Sequence, residues 1–206
     1  MVVLVALLLK IQPFLGIFGR LGDLGAIDKK YDVASSTAAG NSLDTLIVDN
    51  VDTAKKCIDY LKRNDIGRIN VLAHDISLRW QSQVSQKFKA PENAPRLIDL
   101  ISVEDEAMKT AFYQYVRDTL VADNLEQAKR IAFGAKRYRV VTLNGEVIET
   151  SGAMAGGGRE KLCGKMGSQI AAKKDDVDLD ALERKLHEEE EKLNKINEKR
   201  GMTKIF

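Results

Sequence analysis

The 206-residue chain is poor in the residues that build metal centres and disulfide frameworks. It has two cysteines, Cys57 and Cys163, and two histidines, His74 and His187. Neither cysteine lies in a C-x-x-C pair, and with only these four soft ligands in all a structural zinc, which needs four Cys or His donors, is not expected. The expectation is a reducing compartment and no metal site. Long apolar runs are missing too. Val2 to Leu9 gives eight apolar residues before Lys10, where a bilayer-spanning helix needs about 20. No basic n-region or small-x-small cleavage site surrounds that run, so residues 1–15 read as an apolar leader. A core strand, a helix remnant, a signal and a gene-model artefact all stay open for it. Charge of one sign is not in excess: 32 Lys and Arg against 30 Asp and Glu leave +2, and only the distribution of charge is informative. There is also no G-x-S-x-G elbow. His74-Asp75 stands without a nucleophile, Cys163 between Lys161 and Lys165 has no base, and Glu104-Asp105 suits the positive end of a helix without any catalytic role.

What is present fits a soluble globular protein with a highly charged segment, at 44% hydrophobic and 30% charged residues. Gly16, Gly19, Gly22 and Gly25 recur every third residue, a density that fits close packing against another chain or element rather than a long helix. Neither the G-x-G-x-x-G order nor a P-loop Lys-Ser/Thr pair is there. Leu46 to Val48 reads as a buried strand ended by Asp49-Asn50. A helix should follow, with Val51, Ala54, Ile58 and Leu61 on one stripe and its end near Asn64. Arg68 to Ala73 then reads as a second strand, completing a βαβ unit.

Pro91 and Pro95 mark a loop where a second half begins. Glu104 to Leu120 reads as one helix, with Ala107, Ala111 and Tyr115 on one face beside Met108, Phe112 and Val116. Leu125 to Ala132 reads as another, capped by Asn124 with Gln127 in the capping-box position. Tyr138 to Leu143 and Glu146 to Thr150 flank Asn144-Gly145, which predicts a two-residue type I′ hairpin. The glycine-rich stretch after it, from Ser151 to Ser168, fails as a Walker loop. Five residues separate Gly158 from Gly164, and Met166 stands where a magnesium-binding hydroxyl is required. Three consecutive glycines, Gly156 to Gly158, fit close backbone approach at a bend or an edge strand. Beyond Asp175, Leu179, Leu182, Leu186, Leu193 and Ile196 fall on a and d positions, interrupted by Glu189 and Arg200. Residues 175–200 therefore read as a coiled-coil segment, with a single charged surface helix as the alternative.

Positive charge gathers in the second half. Lys129, Arg130, Lys136, Arg137 and Arg139 lie in a span, 128–145, that holds no acidic residue. Arg159, Lys161, Lys165, Lys173 and Lys174 follow against Glu160 alone. Such clusters bind phosphates by counterion release, and Tyr138 is placed to stack on an unpaired base. A merely solvated face is the alternative.

The segments GRLGDLGAIDKKYDVA, IVDNVDTAKKCIDYLKRNDIG, PENAPRLIDL, AFYQYVRDTLVADNLEQAKRIA, RVVTLNGEVIETSGAMAGGG and GKMGS together resemble the hinge domain of the structural maintenance of chromosomes (SMC) family, most of all the subunit-four type of eukaryotic condensin. The resemblance runs from about Gly16 to Ser168 in the family's order. It implies an α+β fold of two subdomains with mixed sheets and helices, about 16–88 and 96–170 within a hinge of 16–170, followed by the start of a coiled-coil helix. It implies pairing with the hinge of a subunit-two type partner, with Gly19, Gly22, Gly25, Gly156, Gly157 and Gly158 at or near the interface. Contact with DNA, preferentially single-stranded, is implied for the basic surface of Lys129, Arg130, Lys136, Arg137, Arg139, Lys161 and Lys165. Ala153 and Ala155 depart from the hydroxyl residues expected before the triple glycine. The Walker motifs and signature loop of the family's ATPase heads are not in this chain, so ATP and magnesium are expected as cofactors of those heads and none for these residues. The chain is then read as a fragment, a truncated gene model or a stand-alone hinge, without enzymatic activity of its own. The expected role is dimerisation and DNA contact in mitotic chromosome condensation and segregation. Other condensin subunits would bind through regions that this chain lacks, and no membrane partner is expected. The location implied is the nucleus and chromosome, with cytoplasm outside mitosis. The alternative is a homodimeric coiled-coil scaffold with no nucleic-acid role.

Overall fold

The computed structural model describes residues 16–65, 67–158 and 161–168. The expected leader, 1–15, and the expected coiled coil, 175–200, lie outside those residues.

The first sheet has the order β1 (Ile17–Arg20), β3 (Leu46–Val48), β4 (Val71–Ala73). β1 runs antiparallel to β3, with a register shift at Phe18, and β3 runs parallel to β4. A parallel pair requires a crossover, which α2 (Val51–Arg63) supplies. Leu46, Ile47 and Val48 are all fully buried because the strand is covered on both faces. The expected βαβ unit is therefore present, although its second strand begins at Val71 rather than Arg68.

The buried face of α2 differs from the expected stripe. Thr53, Cys57 and Leu61 face inward, while Val51 and Ile58 are each 40% exposed. The Asn50 side chain fixes the helical phase by accepting from the Thr53 amide at 2.9 Å. A pattern read from branched aliphatics alone overlooks a threonine and a cysteine as core residues.

The second half repeats the plan. β6 (Leu120–Ala122) runs parallel to β7 (Val140–Thr142) across α6 (Leu125–Ala132), and β8 (Val147–Ile148) and β9 (Met154–Ala155) extend the sheet antiparallel. Asn124 caps α6 as expected, accepting from the Gln127 amide at 3.0 Å, while Gln127 Oε1 accepts from the Asp123 amide rather than from Asn124. The repeat is legible in the sequence once the halves are aligned. Asp44-Thr45-Leu46-Ile47-Val48-Asp49-Asn50 matches Asp118-Thr119-Leu120-Val121-Ala122-Asp123-Asn124, and Arg20-Leu21-Gly22-Asp23-Leu24 matches Arg96-Leu97-Ile98-Asp99-Leu100. The Leu21 amide donates to the Thr45 carbonyl at 2.9 Å, and Leu97 donates to Thr119 at 2.8 Å.

Two expectations need correction here. The helix expected over 104–120 is a 3-10 turn, Glu106–Met108, leading into α5 (Lys109–Val116). Arg117, at φ 48° and ψ −140°, stops the helix, and the chain passes directly into β6. Apolar residues continue past that stop because β6 is buried on both faces, and a run of this kind is shared by buried helices and buried strands. The hairpin lies where expected, but its loop has three residues. Thr142 pairs with Glu146, the Gly145 amide donates to the Thr142 carbonyl at 3.0 Å, and only Gly145 has positive φ. Leu143 and Asn144 make an ordinary turn and Gly145 supplies the left-handed residue, a common alternative to type I′.

The remaining elements bind the halves together. β2 (Gly25–Ala26) pairs with β5 (Ser102–Val103), while α1 (Asp32–Ala39) and α5 fill the space between the sheets. Alternation along each strand assigns the layers. Ile47, Val121, Val141 and Val147 join the central core with Leu21, Phe112 and Met166, whereas Leu46 and Val48 face α2, and Leu120, Val140 and Ile148 face α6. This is a mixed helix-and-sheet fold, as expected.

Candidate interaction surfaces

The two glycine-rich segments occupy different environments. Gly19, on β1 opposite Ile47, is buried, as are Gly22 and Gly25. A Cβ on Gly25 would lie 2.7 Å from the Phe112 ring, and one on Gly22 would lie 2.3 Å from the Lys165 carbonyl oxygen. The first segment thus makes its close approaches inside the chain, Gly22 to the end of the second segment. Gly156, Gly157 and Gly158 are exposed. They follow β9, the outer strand of the four-stranded sheet, whose Met154 is 51% exposed. β9 pairs with β8 along one side, and among the described residues no strand pairs with its other side, which makes it a candidate pairing edge.

The basic residues divide by their partners. Lys129 pairs with Glu126 at 3.2 Å and Arg130 with Glu92 at 2.8 Å. Those bonds from Arg130 hold the Glu92 carboxyl below its usual range. Arg139 reaches inward, donating to Glu149 at 2.9 Å and to the Ala38 carbonyl at 3.0 Å. Lys165 bonds Asn41 at 2.8 Å and Asp44 at 3.3 Å, and Lys161 donates to Asn144 at 2.9 Å. Lys136 and Arg137 are exposed and have no carboxylate partner among the described residues. They lie instead over aromatic rings, Lys136 5.0 Å from the Tyr138 centroid and Arg137 5.6 Å from that of Phe133.

Tyr138, the residue expected to stack, is half-buried edge-on against Phe88 at 5.8 Å. The open ring is Phe133, 48% exposed where α6 ends. Sequence reasoning passed over it, although a phenylalanine next to Gly134, just beyond a helix whose buried residues are Ala128, Ile131 and Ala132, is one position outside the buried pattern.

His74 and Cys57 make their contacts within the fold. His74 Nε2 lies 3.1 Å from the Ala107 carbonyl, and its ring meets Phe18 edge-on at 5.7 Å. Cys57 is fully buried, and burial first, then the charge of Asp49, pushes its thiol pKa up. Cys163 is exposed.

The family model described as "SMC proteins Flexible Hinge Domain" matches residues 14–132, more than half of the chain. The chain belongs to the SMC hinge family. Among curated relatives, "Structural maintenance of chromosomes protein 4" of Xenopus laevis is 46% identical over 187 residues, 90% of this chain and 14% of that protein. The protein of the same name from Dictyostelium discoideum is 49% identical over 156 residues, 75% of this chain and 11% of that one. The chain therefore spans a small fraction of the relatives it matches, and the portion spanned is the hinge, not an ATPase head. Among solved structures, an asymmetric dimer of the Geobacillus stearothermophilus SMC hinge domain superposes with TM-score 0.65 at 25% identity, covering 96% of this chain and 78% of that one. The hinge fold expected from the sequence is thus the observed one. Two clusters in it were not foreseen: Arg20 with Asp23 and Asp44 at 2.7 and 3.0 Å, and Arg96 with Asp99 and Asp118 at 2.8 and 3.3 Å. The repeated R-L-x-D-L and D-T-L motifs are the signal that would have found them.

Proposed function

We propose that this hinge is a dimerisation module of a condensin-like complex that pairs with the hinge of a subunit-two type partner. The observation that carries this reading is the open edge of β9 with Gly156 to Gly158 behind it, in a chain whose relatives are named SMC protein 4. Main-chain pairing along an edge gives affinity, and glycines allow the second backbone to come close. No chemistry on ATP is assigned to these residues, and ATP and magnesium belong to head domains elsewhere in the family. Chromosome condensation and segregation in mitosis, with a nuclear and chromosomal location and cytoplasm outside mitosis, follow as the role of the assembly, whose other subunits would bind outside this chain. Light scattering tests the pairing. A one-to-one heterodimer formed only on mixing with a subunit-two type hinge is expected, whereas a homodimer indifferent to that partner would favour a scaffold without a nucleic-acid role.

The nucleic-acid surface is centred on Phe133, Lys136 and Arg137 rather than spread over all seven basic residues of 129–165. Four of the seven already neutralise carboxylates of the chain, whereas Lys136 and Arg137 are open and flank an exposed ring. An exposed ring stacks only on an unpaired base, so single-stranded DNA is the favoured ligand. Reversing Lys136 and Arg137 to Glu should weaken single-strand binding and flatten its salt dependence by about two charges. Reversing Lys129 and Arg130 should do much less. Equal losses from both pairs, or no loss from the first, would remove this surface from the proposal.

A further inference from the structure

The two arginine clusters do more than balance charge. Each holds main-chain carbonyls of the segment that comes after the other half's sheet. Arg96 donates to the Gln83 and Val84 carbonyls at 3.2 and 3.1 Å, capping α4 (Gln81–Ser85), which follows the first sheet. Arg20 donates to the Lys165 carbonyl at 2.9 Å, after the second sheet. The arrangement is reciprocal. Its two members are unequal, because the Arg96 side chain is 3% exposed, while the Arg20 side chain is 11% exposed and holds a segment most of whose residues are exposed.

That segment, 161–168, lies across the first half as a strap. The Gly164 amide donates to both carboxylate oxygens of Asp32 at 2.9 Å, and the Lys165 amide to Ser36 Oγ at 3.3 Å. The Lys165 ammonium reaches Asn41 and Asp44, and the Ile27 amide donates to the Gly167 carbonyl at 3.0 Å. Gly167 also bridges Ala26 in parallel. One side chain anchors it apolarly: Met166, 3% exposed, enters the central core. Everything else is polar contact, and Lys161 to Gly164 are exposed. Gly22 forms the floor of the seat, since any Cβ there would strike the Lys165 carbonyl at 2.3 Å.

We infer that residues 161–168 are a detachable strap, seated in the Arg20, Asp23 and Asp44 socket and fastened to β2 and α1, that opens before either sheet does. A segment with one apolar anchor and mostly polar, part-exposed contacts belongs to the low-stability end of a structure. Its release withdraws one core side chain, Met166, and leaves the strand pairings of both sheets in place. The inference stands on contacts within one chain and is independent of the pairing and DNA proposals.

Native-state hydrogen exchange on the full 206-residue chain tests it, using the amides of Ile27, Gly164 and Lys165 as strap reporters and those of Leu46 and Leu120 as sheet reporters. Gly22→Ala should raise exchange at the strap reporters by about tenfold or more and leave the sheet reporters within about twofold. Asp32→Ala, which removes the acceptor of the Gly164 amide at a half-exposed site together with the acceptor of the Ser36 hydroxyl, should give the same pattern at smaller amplitude and decides the matter if Gly22→Ala fails to fold. If the sheet reporters accelerate together with the strap in Asp32→Ala, the strap is an inseparable part of the core. If neither variant changes the strap reporters, the socket does not hold it. Either result overturns the inference.

Discussion

Gly40 and Arg117 occupy corresponding places in the two halves, each ending a helix, and share nearly the same backbone, φ 55° and ψ −131° against φ 48° and ψ −140°. Glycine adopts that conformation freely and arginine does not. The arginine is held by its surroundings: its guanidinium lies 3.7 Å from the Trp80 ring centroid, and Trp80 in turn donates to Gln114 at 2.6 Å. A Cβ on Gly40 would meet nothing within 4 Å. Gly40→Ala should therefore destabilise the hinge by about 1–2 kcal/mol through backbone strain alone. Urea unfolding checks this, and a neutral result would mean that the backbone at residue 40 relaxes without resistance. Trp80→Leu should be costly for a different reason, since it releases Arg117 from the cation–π contact that steadies the strained residue, typically worth about 1 kcal/mol. These two positions also mark what the sequence conceals at this scale. Gly40 is a visible stop, whereas nothing in the letter R announces a left-handed helix end.

At the scale of elements, the crossover helices were the most legible parts of the chain, because their signals are local. The Asp49-Asn50 and Asp123-Asn124 pairs each end a strand and cap a helix with one side chain, and the two cap residues have matching backbones, φ −145° and ψ 173° against φ −151° and ψ 171°. Asn50→Ala and Asn124→Ala should each cost about 1 kcal/mol, and since the helices pack on separate hydrophobic clusters the double variant should show the sum. A double variant far from additive would mean that the two clusters communicate through the core. The elements misjudged from sequence failed where tertiary context chooses between local options. The helix expected over 104–120 runs too long because a doubly buried strand continues its apolar run. The hairpin turn was misassigned because the pairing of Thr142 with Glu146 sets the loop at three residues, one more than the Asn-Gly pair alone implies. The basic surface shows the same limit, since the sequence counts cations and only the fold reveals that most face carboxylates.

At the largest scale, the fold brings the strap back to β1. Asp44 lies at the closing point, between Arg20 of β1 and Lys165 of the strap. Burial works to raise its carboxyl pKa, but the hydrogen bonds from Arg20 and Lys165, and then their charges, outweigh it and hold the group below its ordinary value. A carboxylate depressed in the folded state contributes stability that is fully present above its unfolded pKa, about 3.9, and is lost as pH falls through the lower folded value. The contribution is therefore constant at neutral pH and disappears only in acid below about pH 4. Asp44→Asn should remove it at all higher pH values, so the stability difference from the parent chain should be largest near neutrality and shrink as pH falls below 4. Urea midpoints measured from pH 7 down to about pH 3 check this, and a difference that stayed constant over the range would show that Asp44 acts by shape and hydrogen bonding rather than by charge. The fold class was readable from motifs in order along the chain, but this closure was not. It joins residues 20, 44 and 165, and only the backbone path through two repeated halves brings them together.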